Sequence, residues 1–131
     1  NDDGDLVAAL CLVAERDGNV VGHVACSYGQ VDGHPLIGLG PIGVFPQHQG
    51  RGVGHALMHA VLAAADALDE PAVALLGEPA FYRRFGFEPA TRSGVHPQVP
   101  EWGEYFQLRR LRAWNGAIAG TFTYAAAFDR L

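Results

Sequence analysis

A glycine-rich segment between an apolar run and a helical pattern constrains this chain more than any other part of its sequence. The segment is Gln49-Gly50-Arg51-Gly52-Val53-Gly54, which follows the apolar run Ile42 to Phe45 and precedes the helical pattern Ala56 to Leu68. This order predicts a strand that turns through glycines into a helix, a geometry that proteins use to hold a pyrophosphate. The glycines would equally suit a tight turn that only reverses the chain, and their spacing alone does not decide between the two interpretations.

The composition favours a single globular domain over residues 1–131. Hydrophobic residues make up 49% and charged residues 18%, which excludes a disordered chain. The net charge of -5 argues against a sequence-independent hold on nucleic acid. The apolar stretch Ala56 to Leu68 is shorter than the ~20 residues of a membrane span. We therefore expect neither a nucleic-acid partner nor a membrane partner.

Strand patterns precede the glycine segment. Leu6 to Ala14 and Val20 to Val31 are separated by Arg16-Asp17-Gly18-Asn19, which predicts an antiparallel hairpin. In its simplest register Cys11 faces Val24, so Cys26 is too far away for a disulfide. Two half-buried thiols indicate a cytoplasmic protein. Leu36 to Val44 forms the next strand, and its glycines mark a bulge or a close approach to the backbone.

A crossover unit follows. Apolar residues recur at helical spacing from His55 to Leu68, Pro71 ends the helix, and Ala72 to Leu76 is wholly apolar, as in a buried parallel strand. A short helix begins at Gly77-Glu78-Pro79 and ends at Gly86. The sequence then predicts a long loop over Thr91 to Glu104. It predicts two further strands, Tyr105 to Leu111 and Ile118 to Tyr124. The pattern predicts an α/β (α+β) fold with a mixed sheet.

Two common glycine motifs do not fit the segment. A mononucleotide P-loop needs Lys and then Ser or Thr after its last glycine, whereas Gly54 is followed by His55-Ala56. A dinucleotide fingerprint needs a glycine at the position of Leu57. The pattern that fits is Gln-x-x-Gly-x-Gly.

This pattern and a second motif make the chain resemble the GNAT superfamily of acyl-CoA-dependent N-acyltransferases. The resemblance covers Val44-Phe45-Pro46, the glycine segment, the helix and buried strand, and Tyr82 four residues before Gly86-Phe87. It implies the GNAT fold, with the family's opening strand and helices lacking from this chain, so that missing residues or a partner subunit would cover apolar surface. A monomer or a homodimer fits this expectation.

The resemblance implies that acetyl-CoA is the co-substrate. His55 and His59 lie one helical turn apart, but no third ligand completes a zinc motif, so we expect a solvated helix face and no metal. The glycine turn would hold the pyrophosphate, and the strand before it would pair with the pantetheine arm across a splay between two parallel strands. The implied cofactor-binding residues are Ile42, Gly43, Val44, Gln49, Gly50, Arg51, Gly52, Val53, Gly54, His55 and Phe81.

In the family the acyl group passes directly from the thioester to an amine. Tyr82 matches the general acid that protonates the departing thiolate, although a tyrosine beside Phe81 and Phe85 could also be a core aromatic. Many relatives carry a Glu on the strand before the turn, and the corresponding residue here is Gly38. An alkylamine with a pKa of ~10 is neutral in only about one part in a thousand at pH 7.

Three explanations remain open for the missing carboxylate: a base from elsewhere, a water relay, or a weakly basic acceptor. The candidate bases are Glu101 and Glu104, which precede a predicted strand, and Glu78 near Tyr82, although each would also suit a solvated surface. We expect an N-acetyltransferase that acts on a primary amine of a small molecule or peptide. The alternatives are an acyl-CoA-binding module without turnover and a structural module that does not bind acetyl-CoA.

Overall fold

The computed structural model describes residues 10–44 and 52–124. Within these ranges the chain forms eight strands and two helices, joined in part by short 3₁₀ turns. In chain order they are β1 (Leu12–Arg16), β2 (Asn19–Val31), β3 (His34–Val44), α1 (Val53–Ala67), β4 (Ala72–Leu76), α2 (Pro79–Tyr82), β5 (Glu88–Pro89), β6 (Val95–His96), β7 (Phe106–Arg110) and β8 (Gly120–Thr123).

The strands form one mixed sheet in the order β5-β7-β4-β3-β2-β8-β6, with β1 paired to β2. Strands β3 and β4 are parallel and α1 connects them, so the predicted βαβ crossover is confirmed. A wholly apolar strand between a helix and a second helix is typical of the sheet interior, and Ala72 to Leu75 are indeed buried. The predicted α/β fold with a mixed sheet is therefore confirmed.

The first hairpin turns at Asp17 and Gly18, whose φ angles of 54° and 81° fit a two-residue turn. Its predicted register is wrong, because a bulge between Ala14 and Glu15 shifts the pairing and places Leu12, not Cys11, opposite Val24. The prediction of two half-buried thiols is also wrong: Cys11 is exposed and Cys26 is buried.

Strands β3 and β4 diverge, and we call the opening between them the fork. They pair at two positions, Ile37 with Val73 and Gly38 with Ala74. Beyond this point β3 continues to Val44 while β4 ends at Leu76, and no further pair joins them within the described ranges. The predicted splay between two parallel strands is thus present, and Gly38 and Ala74 lie where the fork closes.

The two faces of the sheet carry separate cores. On the face that we call the helix face, α1 buries Leu57, Met58 and Val61 against the sheet, together with Phe85 and Phe87. On the opposite face the large buried side chains include Phe106, Leu108 and Phe122, and Trp102, Trp114 and Tyr124 pack against them.

The second half of the chain departs from prediction in its short elements. The predicted loop Thr91 to Glu104 contains 3₁₀ turns at Ala90–Ser93 and Pro100–Tyr105, and β6 within it pairs in parallel with β8. The two-residue strand β5 was not predicted, because two residues show no periodicity. No helix of the described ranges is long and apolar enough to cross a membrane.

Candidate active site

The N-terminus of α1 presents backbone donors, and its N-cap residue has no side chain that could accept from them. Gly52 is its N-cap, with φ 82° and ψ 5°, and makes no capping hydrogen bond through a side chain. The first helical bond runs from the Ala56 N–H to the Gly52 oxygen, at 2.9 Å. The N–H groups of Val53, Gly54 and His55 therefore precede the intrahelical ladder, and no acidic residue lies in the first turn to compete for them.

Space is open at this N-terminus. A Cβ atom added to Gly52 would meet no atom of the described residues within 4 Å, so its positive φ, not crowding, accounts for the glycine. An anionic group could approach the backbone closely here. Three predicted residues of the turn, Gln49, Gly50 and Arg51, lie outside the described residues.

The end of β3 supplies a strand edge beside the fork. Ile42, Gly43 and Val44 pair with β2 along one edge, opposite Val24, His23 and Gly22. Their other edge faces the opening that β4 has left. Peptide groups on that edge can bond to an extended ligand as they would to a further strand.

Helix α2 brings its aromatic residues to the start of α1. The Phe81 ring lies 5.7 Å from the His55 ring and 5.4 Å from the Phe85 ring, measured between centroids. Glu78 caps α2 by accepting a hydrogen bond from the Ala80 N–H, and Gly86 ends the following turn with φ 87°. The structure thus brings together His55 and Phe81, two residues predicted to contact the cofactor.

Tyr82 lies on the helix face, just beyond the end of β4. Its ring makes edge contacts with Phe81 at 4.8 Å and with Phe87 at 6.0 Å. Burial raises the pKa of Tyr82 above the ordinary tyrosine value. The phenol therefore keeps its proton at neutral pH and can donate it.

Aromatic rings fill the space next to Gly38, where many relatives carry a Glu. A Cβ atom at Gly38 would lie 3.2 Å from Phe122 Cζ and 3.4 Å from Tyr124 Cε1. Ser27, the partner of Gly38 on β2, is buried. Burial also raises the pKa of Tyr124. Phe122 and Tyr124 were not predicted as neighbours of this strand. The available signal was the glycine in a central strand, since it indicates a close approach to the backbone.

The predicted base candidates Glu101 and Glu104 are both exposed. They belong to the 3₁₀ turn Pro100–Tyr105, whose Trp102 packs against the core of the opposite face and lies 6.0 Å from the Tyr124 ring. The turn thus lies on the same side of the sheet as the rings that cover Gly38, whereas Tyr82 lies on the helix face.

His55 and His59, one helical turn apart, contact aromatic rings. The Phe85 ring lies 5.2 Å from the His55 ring and 5.3 Å from the His59 ring. In the described part of the chain, no group of three or more His, Cys, Asp and Glu side chains could hold a metal ion.

Known proteins resemble this chain in sequence and in structure. The family described as "Acetyltransferase (GNAT) domain" matches residues 8–89. The Escherichia coli (strain K12) protein YhbS, described as an uncharacterized N-acetyltransferase, is 34% identical over 133 residues, which cover 98% of this chain and 78% of the relative.

Two solved structures extend the comparison. E. coli YhbS in complex with CoA has a TM-score of 0.88 and 35% identity, covering 99% of this chain and 73% of that one. A GNAT family acetyltransferase from Brucella melitensis in complex with acetyl-CoA has a TM-score of 0.73 and 36% identity, covering 91% and 68%. With the family match and the forked sheet beside the start of α1, these similarities show that the chain belongs to the GNAT family of acetyltransferases.

Proposed function

We propose that this chain transfers an acetyl group from acetyl-CoA directly to a primary amine of a small molecule or peptide. The observation that carries the proposal is the fork between β3 and β4, which lies beside the N-terminus of α1, where the N-cap Gly52 has no capping side chain. A pyrophosphate fits the open donors of that helix, and an extended arm fits the free edge of β3. The complexes of the two relatives with CoA and acetyl-CoA support this assignment.

The donor would be held largely by backbone groups. The pyrophosphate would accept hydrogen bonds at the Gln49 to Gly54 turn and from the N–H groups of Val53, Gly54 and His55, and the pantetheine arm would pair with Ile42, Gly43 and Val44. Phe81 would pack beside this arm, since α2 contacts the start of α1.

The transfer would then proceed by direct attack. The neutral amine nitrogen forms a bond to the thioester carbonyl carbon, a backbone N–H near Val44 stabilises the oxyanion, and the carbon–sulfur bond breaks. The departing thiolate takes the proton of the Tyr82 hydroxyl, and Tyr82 regains a proton from solvent. The surplus proton of the amine passes to a carboxylate, for which Glu101 or Glu104 is proposed.

The test of this function is acceptor-dependent release of CoA thiol from acetyl-CoA, measured over a panel of polyamines, amino acids, peptides, aminoglycosides and arylamines. We expect at least one amine to accelerate thiol release above the rate with acetyl-CoA alone. If acetyl-CoA raises the melting temperature but no amine supports turnover, the chain is a binding module instead. The absence of a carboxylate at Gly38 favours this second candidate.

The proposed base has its own test. Glu101→Gln and Glu104→Gln remove one carboxylate each at nearly constant shape, and Glu15→Gln, on the exposed strand β1, is a matched control. We expect one of the first two variants to lower kcat at pH 7 and the control to leave it unchanged. Full activity in Glu101→Gln, Glu104→Gln and the double variant would refute the assignment of the base.

A further inference from the structure

A buried side-chain amide lies next to Gly77, the residue that the Tyr82 ring approaches. Gln107, on β7, is 1% exposed, and it and Ser27 are the buried polar residues of the described core. Its Nε2 atom donates to the Gly77 oxygen at 2.9 Å and lies 3.4 Å from the Tyr105 oxygen. Its Oε1 atom is buried and has no hydrogen-bond partner in the described part of the chain. Burying an amide with an unpaired oxygen is costly, so packing alone does not explain a glutamine here.

The carbonyl that Gln107 holds belongs to Gly77, the residue that follows β4. The Gly77 N–H donates to the Tyr105 oxygen at 2.9 Å, so hydrogen bonds fix the peptide groups on both sides of Gly77. Gly77 has no positive φ, so its backbone conformation is open to other residues. The need for glycine is steric.

The group that approaches Gly77 is the ring of Tyr82. A Cβ atom at Gly77 would lie 2.5 Å from Tyr82 Cε2, closer than real contacts allow, and 3.1 Å from Cδ2, which is tighter than most. Phe81 and Phe87 meet the same ring with their edges. The bare backbone of Gly77, which we call the floor, therefore lies directly against the Tyr82 ring.

We propose that Gln107 and Gly77 are positioning residues for Tyr82: the amide of Gln107 fixes the Gly77 peptide, and that peptide sets where the tyrosine hydroxyl lies. The inference rests on the proposed role of Tyr82 as the acid that protonates the thiolate. Neither residue touches the reacting atoms in this account. A displacement of about 1 Å at a reacting group can cost up to about a hundredfold in rate, so a floor of this kind affects turnover.

Three variants test the proposal, each with a different alteration of the floor. Gly77→Ala adds the Cβ atom that meets the ring, Gln107→Leu removes the donor, and Gln107→Glu replaces the donor with a carboxylate facing two carbonyl oxygens. Gln30→Glu, the same change at an exposed position of β2, is the matched control. We expect the three to lower kcat roughly tenfold or more and to leave KM for acetyl-CoA within about twofold. The control should keep the activity of the parent protein.

Two readouts separate positioning from general damage. In a Tyr82→Phe background there is no hydroxyl to misplace, so Gly77→Ala and Gln107→Leu should cause no additional loss of kcat. The chain has four tyrosines, so the ¹³C-tyrosine NMR signal of Tyr82 can be assigned by its loss in Tyr82→Phe. We expect Gly77→Ala and Gln107→Leu to shift that signal and to leave the Tyr28 signal in place.

The outcomes distinguish this proposal from the one on which it rests. If Tyr82→Phe keeps full turnover, the acid role is refuted, and the NMR shift alone decides whether the floor positions the ring. If Tyr82→Phe loses turnover while Gly77→Ala, Gln107→Leu and the Tyr82 signal stay unchanged, the positioning role is refuted. Full additivity of the losses in the double variants would also overturn it.

Discussion

At the residue scale, burial raises the pKa of Tyr82, so the phenol keeps its proton at neutral pH, as the proposed acid must. Replacing Tyr82 with Phe removes the hydroxyl and keeps the ring against Gly77. We expect kcat to fall roughly 100-fold or more, in the range that general acid catalysis supplies. Steady-state assays with a saturating amine would measure the loss, and unchanged kcat would contradict the acid role.

The pH profile gives Tyr82 a second signature. A general acid acts only while it is protonated, and burial raises the pKa of Tyr82. We therefore expect kcat to stay constant as the pH rises and to fall only above the ordinary tyrosine pKa of about 10. Tyr82→Phe should lack this alkaline fall. A profile in which kcat drops well below pH 9 in the parent and not in the variant would show that the acid has a lowered pKa, against the structure.

The aromatic rings beside Gly38 occupy the space that a glutamate at this position would need. A Glu at this position must displace the rings of Phe122 and Tyr124, and overpacking of this kind costs about 1–3 kcal/mol. We expect Gly38→Glu to lower the melting temperature without raising turnover. Gly38→Ala is the control, since the rings need to shift by only a few tenths of an ångström. A stable Gly38→Glu protein with increased activity would mean that the rings do not cover the strand in solution.

At the element scale, the N-terminus of α1 is the proposed pyrophosphate site, and its first turn contains no acidic residue. Gly54→Glu places a side chain and a negative charge among the open donors, so we expect acetyl-CoA affinity to fall at least tenfold. Ala63→Glu adds the same charge at an exposed position farther along α1. Calorimetric titration of both folded variants would measure the difference, and equal affinities would refute the pyrophosphate assignment.

The elements also show what the sequence could predict. The β3-α1-β4 crossover and the α2 turn that ends at Gly86 follow from periodicity and from Gly and Pro punctuation, which are local signals. The register of the first hairpin was wrong because a bulge at Ala14 leaves no such signal. Strand β6 could not be predicted because two residues become a strand only through their partner β8.

The candidate site likewise has parts that local sequence signals predict and parts that depend on tertiary contacts. The turn, the end of β3 and Tyr82 belong to motifs with fixed spacing and could be found in the sequence. Phe122 and Tyr124 reach Gly38 only because β8 pairs with the end of β2, a tertiary contact between distant parts of the chain. The link from Gln107 to Gly77 is likewise a pairing of distant strands, and no local pattern predicts it.

At the scale of the whole molecule, the two cysteines differ in reactivity. Burial, with Cys11 nearby as the lesser cause, raises the pKa of Cys26 to about 12, so this thiol stays neutral and shielded at physiological pH. Cys11 is exposed. We expect an aromatic disulfide reagent to label one thiol per native chain and two after denaturation. Cys11→Ser should abolish the native reaction, whereas rapid labelling of two native thiols would contradict the burial of Cys26.

The fork between β3 and β4 also bears on how the protein avoids aggregation. An exposed strand edge normally invites another chain to pair with it, and proteins usually protect the outer edges of their sheets. Here the edge of β3 that has no partner among the described residues faces β4 across an opening. That opening closes at Gly38 and Ala74. An open edge that lies inside the sheet, next to Gly38 and Ala74, is less accessible to another chain than an outer edge is.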